Sequence, residues 1–168
     1  ASDVYKRQGD YVDNALIKEI QSKYNGAQIT KDMARRWKEQ FSFVSTAAPD
    51  EPVLVDFSIE GKAMTLDITD CMQAACESIV DPIVENVKKL IAGSNPEYHD
   101  EFRKNMVLAG GGSSIKGLGA LIERRLSDMG DVNVHVVDDP VRLGAMGGLR
   151  LAMEVPEDMW KNLTLASR

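Results

Sequence analysis

Gly110-Gly111-Gly112-Ser113-Ser114, read between a strand pattern and a helix pattern, is the run of residues with the clearest chemical use. Three successive glycines leave no side chains between backbone and ligand. The amides at a following helix N-terminus can then face a negative or polar group. In an open α/β sheet the carboxyl end of a strand is a usual ligand position. The spacing is neither Gly-x-Gly-x-x-Gly nor a Walker A loop, because no Gly-Lys-Ser/Thr follows. The same residues suit a tight strand-to-helix turn that needs glycine dihedrals, with Gly111 expected at positive φ. On the residues alone, ligand loop and structural turn both stand.

A second group is Arg35, Lys38 and Glu39. Trp37 and Phe41 share one face of a helical pattern, which leaves these three on another face at i, i+3 and i+4. Lys38 and Glu39 offer a donor and an acceptor to a sugar or base edge. By spacing alone, a solvated charged face is clearly the better account of them. Asp138 and Asp139 are adjacent carboxylates that could bind a cation. Ahead of Pro140 and a small-residue helix they read instead as a helix cap, with Pro140 in the first turn. His99 and His135 are isolated, so no Ser-His-Asp or Cys-His set arises. Cys71 and Cys76 lie five apart in a helical pattern, which suits two reduced thiols better than a disulfide or a zinc site.

The elements that must position these groups follow from the pattern. The 168 residues are 43% hydrophobic and 27% charged, an ordinary globular balance of one-domain size. A formal net charge of −6 argues against sequence-independent nucleic-acid binding, which needs a basic face. No apolar run approaches a membrane span. Residues 9–23 read as a helix with Asp10 as its cap and Asn25-Gly26 as its stop. Thr30 caps a second helix carrying Met33, Trp37 and Phe41. Residues 53–59 and 63–68 alternate as a hairpin about Glu60-Gly61. A helical stretch from Thr69 to about Ile91 contains Asp81-Pro82, which predicts a kink or two helices. Residues 105–109 read as a buried strand, 115–126 as an amphipathic helix, 132–137 as a strand, and 141–153 as a helix. In that last helix Gly144, Gly147 and Gly148 are expected to permit close packing. Strands alternating with helices after residue 100 indicate an α/β layered unit. Residues 1–8 look like a translated adapter scar, with native sequence expected upstream.

In order and spacing these pieces resemble the bacterial actin-like ATPase superfamily. Residues 108–118 look like its adenosine motif. Asp139-Pro140 with Gly144-Ala145-Met146-Gly147-Gly148 resembles its second connecting helix. Gly9-Asp10-Tyr11-Val12-Asp13 is similar to the segment after its second phosphate hairpin, and Lys38-Glu39 to the pair it places against ribose and adenine. The run Lys38 to Val44, and Val155-Pro156-Glu157 with Trp160, resemble its filament-forming members, among them magnetosome-aligning proteins.

The resemblance implies an α/β fold: the second domain of an actin/Hsp70-type ATPase, with a ribonuclease H-like core lobe and an inserted α+β lobe. Residues 9–73 would form the inserted lobe, 74–156 the core lobe and 157–168 a C-terminal tail. Gly110, Gly111, Gly112 and Ser113 would line the nucleotide, and Ile115 would wall the adenine. Lys38, Glu39 and Arg35 would hold the nucleoside, with Gly9 and Asp10 beside the phosphates. It further implies ATP or ADP with Mg2+, self-assembly into filaments, possible magnetosome-associated partners and a cytoplasmic location. No nucleic acid, membrane span or metal-ligand set is expected. Both phosphate hairpins and the water-orienting residues lie upstream in the superfamily, so no catalytic residue is expected in this chain. A cell-shape filament protein, a sugar kinase or an Hsp70-type ATPase of the same superfamily is the alternative.

Overall fold

A computed structural model describes residues 8–59, 62–140, 142–156 and 159. Helix α1 (Gln8–Lys23) begins one residue ahead of expectation, so Asp10 lies in its first turn rather than at its cap. Val12, Leu16 and Ile20 form its fully buried stripe. Its end is tied down where the Tyr24 hydroxyl donates to the Asp67 carbonyl at 2.7 Å. Helix α2 (Lys31–Phe41) starts on Thr30, whose hydroxyl accepts the Met33 amide, as the sequence predicts. Trp37 leaves α2 to meet Phe57 edge-on at 6.3 Å between ring centroids.

Strands β1 (Leu54–Ile59) and β2 (Lys62–Asp67) pair antiparallel, with Leu54 opposite Asp67 and Ile59 opposite Lys62. Val53, Val55 and Phe57 are buried while Leu54, Asp56 and Ser58 are exposed, the period-2 signature of a half-buried strand. Glu60 and Gly61 lie outside the described residues. The proline-containing stretch is two helices, α3 (Thr69–Glu77) and α4 (Val80–Ala92). Pro82 sits in the first turn of α4, where its missing N–H costs nothing.

After α5 (His99–Lys104), strand β3 (Met106–Leu108) pairs in parallel with β4 (Val134–Val136), Val107 facing His135. The crossover between them carries α6 (Leu118–Arg125), which packs on α4 and β4. Gly119 permits that contact, since a Cβ there would lie 2.9 Å from Val136 Cγ2.

Three expectations change. Val107, read as part of a buried strand, is 65% exposed. It borders an apolar groove shared with Ile83, Val87, Leu90 and Phe102. Helix α7 runs Leu143–Glu154, so Pro140 precedes it rather than opening it. Asp139 still prepares its start by accepting the Arg142 amide at 3.2 Å. A Cβ on Gly144, Gly147 or Gly148 would meet nothing within 4 Å, so the expected close packing of α7 is not made among the described residues.

One apolar cluster joins α1, α2, β1, β2, α3, α4 and α6. The boundary expected between residues 73 and 74 falls within α3. Each fully buried Leu, Ile or Met of this cluster, such as Leu16, Ile68, Met72 or Leu121, contributes about 1.5–3 kcal/mol.

Candidate nucleotide-facing site

β3 ends at Leu108, and Ala109 leads to Gly110, where the chain takes φ 88° and ψ 168°. Only glycine adopts that conformation readily. A tight helical turn follows over Gly111–Ser114. Ser113, 5% exposed, closes it: its amide and its hydroxyl both donate to the Gly110 carbonyl, at 3.0 and 2.7 Å. The positive φ therefore belongs to Gly110, not to Gly111. The glycines also do not open the next helix, because α6 starts only after Gly117. A Cβ on Gly110 or Gly111 would meet nothing within 4 Å. The backbone there lies bare, and a ligand can approach it closely.

Ile115 is buried in the core, so it supports the turn from behind. Lys116 pairs with the chain leaving α2: the Val44 amide donates to the Lys116 carbonyl at 3.0 Å and the Lys116 amide to the Ser42 carbonyl at 3.2 Å. Gly117, at φ 80°, lies so close that a Cβ would be 2.5 Å from Thr46 Oγ1. That hydroxyl donates to the Gly117 carbonyl at 2.7 Å. The end of α2, which carries Lys38 and Glu39, is thus stitched to the residues directly after the glycine turn. Helix α1 touches the turn itself.

The charged residues of α1 and α2 form one network. Asp13 is 1% exposed. Lys38 Nζ stands 2.6 Å from Asp13 Oδ1 and donates to the Gly9 carbonyl at 2.9 Å. The approach to Oδ1 is out of line for a hydrogen bond, so that oxygen is compensated in charge but unsatisfied as an acceptor. At 2.6 Å the attraction does not depend on that alignment, and the pair is real. Arg35 reaches Asp13 Oδ2 with Nε at 3.8 Å and Asp10 Oδ1 with Nη2 at 3.5 Å.

Gly9, Asp10, Arg35 and Lys38 are therefore brought together, and the Gly111–Ser114 turn touches α1. Glu39 is exposed and makes no hydrogen bond or ion pair among the described residues. Sequence reading passed over Asp13. The signal was a carboxylate beside the buried stripe Val12, Leu16, Ile20, a position that requires a cation. A cavity of about 630 Å3 borders the turn between α6 and the end of β4, lined by Lys116, Gly117, Glu123 and Asp138. Ser113 lines it, whereas Lys38 and Glu39 do not.

The bare glycine backbone and the Arg35 and Lys38 donors of α2 fit a polar, partly anionic ligand such as a nucleotide. Among the described residues no group of three metal-ligating side chains occurs. No helix among them is long and apolar enough to cross a membrane.

The actin-like protein MamK of Paramagnetospirillum magneticum is 39% identical over 155 residues, covering 92% of this chain. The chain spans 44% of that relative's length. A MamK double helical filament superposes with a TM-score of 0.81 at 40% identity, over 88% of this chain and 45% of that one. A non-polymerising MamK mutant bound to AMPPNP gives 0.79 at 40% identity, over 87% and 44%. These likenesses give the fold as the actin-like α/β type. The family model for MreB/Mbl protein matches residues 2–159, and the chain belongs to that family.

Proposed function

We propose that this chain is the nucleotide-facing second domain of an actin-like cytoskeletal protein. The intact protein binds ATP or ADP with Mg2+, assembles with copies of itself into nucleotide-regulated filaments, and positions magnetosomes in the cytoplasm. The observation that carries the reading is the junction of α2 with the glycine turn. Pairing of Ser42 and Val44 with Lys116 puts Lys38 and Glu39 one helical turn from the segment that follows Gly110 to Ser113. Backbone amides of the turn would meet the phosphate and ribose side. Lys38 supplies a donor, and Glu39, with no competing partner among the described residues, an acceptor for ribose hydroxyls. Ile115 would back the adenine through the turn, and Gly9 and Asp10 would flank the phosphates. Bound metal would neutralise phosphate charge, with phosphate and water among its ligands.

The likeness to MamK filaments supports self-assembly, and the likeness to the AMPPNP-bound form supports an adenine nucleotide. The test joins residues 9–168 to the upstream half of the Paramagnetospirillum MamK and sediments the product with and without ATP. Pelleting that requires ATP is the expected result. A soluble, folded product that never pellets, beside MamK that does, overturns the filament reading.

A further inference from the structure

We propose that Asp13 is a positioning residue of this site, whose buried carboxylate holds the Lys38 ammonium beside the Gly111–Ser114 turn for a bound nucleotide. The inference rests on the nucleotide reading above and adds to it a residue that makes no ligand contact of its own. Asp13 is 1% exposed, and a carboxylate is expensive to bury. Two cations answer it: Lys38 at 2.6 Å and Arg35 at 3.8 Å. A pair serving only stability would be replaceable by apolar residues at little or no loss. This pair instead has one charge sealed in the core and the other, Lys38, 16% exposed by side chain at the start of α1. Lys38 donates to the Gly9 carbonyl, which fixes the ammonium at the first turn of α1, the helix that touches the glycine turn. An ammonium has three donors, and one is spent on Gly9.

Among the described residues Asp13 Oδ1 has no aligned hydrogen-bond donor, so charge holds the Lys38 ammonium to it at 2.6 Å. Without Asp13 the lysine would be one of many flexible surface amines, and its placement would cost side-chain entropy at each binding event.

The experiment titrates ADP into this chain while backbone amide and lysine Nζ resonances are followed. In the unaltered chain the Gly110 to Ser113 amides and Lys38 Nζ are expected to move together. Asp13→Asn and Lys38→Met are each expected to weaken ADP binding by roughly 5- to 10-fold. The double variant is expected to be no weaker than Lys38→Met alone, since Asp13 acts through Lys38. A role in folding alone would lower the melting temperature without that non-additivity in affinity. If the Gly110 to Ser113 amides move and Lys38 Nζ does not, the inference is overturned even where Asp13→Asn fails to fold. Asp13→Asn binding ADP within twofold of the unaltered chain overturns it as well. If the amides of Gly110 to Ser113 do not respond at all, the nucleotide reading itself fails and takes the inference with it.

Discussion

At Gly117, backbone and packing both exclude a side chain. Its φ is 80°, and a Cβ would lie 2.5 Å from Thr46 Oγ1 and 2.7 Å from Ala47 Cβ. Gly117→Ala is therefore expected to cost about 2–4 kcal/mol in urea unfolding, strain and overpacking together. Gly111→Ala is the opposite case: with ordinary φ and open space, its stability change should stay within about 0.5 kcal/mol. Any loss of ADP binding in Gly111→Ala then reports on the ligand surface. The two thiols are sealed. Burial pushes the Cys76 thiol up to about 11, and burial likewise raises Cys71. The thiolate is the reactive form, so neither should react with a disulfide reagent at pH 8 until the chain unfolds. Rapid native labelling would contradict this packing.

The helices owe their limits to single residues. Thr30→Ala removes the acceptor for the Met33 amide and should cost about 1 kcal/mol by urea unfolding, since the other contacts of α2 remain. Two junctions between elements are set by carboxylates. Burial raises the Glu77 carboxyl, but the Ser45 side chain and its amide donating at 2.8 Å, with Arg125 and Gln73, together outweigh it, and the net position is below the ordinary 4.5. Asp67 is held below 3.8 chiefly by the Thr69 hydroxyl and amide. Both groups are depressed in the folded state. Their contribution is complete above the ordinary carboxylate range and is lost as pH falls through the lower folded values. The urea midpoint should drop between pH 5 and pH 3, and Glu77→Gln should flatten part of that drop. An unchanged slope would show that the Ser45 contact contributes nothing to the pH dependence.

On the scale of the molecule, one half is sealed and the other open. The cluster from Val12 to Leu126 is continuous, whereas α7 buries no residue. Leu143, Met146, Leu149, Leu151 and Met153 are all exposed, and so is Val107 on a sheet that has two parallel strands among the described residues. Parallel sheets are ordinarily covered on both faces. Exposed apolar surface of this extent favours self-association in water. Leu149→Glu should reduce concentration-dependent association in sedimentation velocity while leaving the melting temperature nearly unchanged. A large fall in melting temperature would mean that Leu149 packs in solution.

Local chemistry made much of the chain readable in its sequence. Thr30 as a cap, the alternation from Val53 to Phe57, the split of the long helical stretch near Pro82 and a glycine turn after a strand all depend on near neighbours. Those are the interactions that periodicity and turn residues encode. Placement of the positive φ at Gly110 rather than Gly111 depended on how Ser113 closes the turn, which triple-glycine spacing does not distinguish. Sequence also did not reveal that Asp13 would take Lys38, or that Ser42 and Val44 would pair with Lys116. Those contacts join distant parts of the chain. They form because a carboxylate beside a buried helix stripe must find a cation and an open backbone edge must find a partner. Only the folded chain fixes which of many candidates lies within reach.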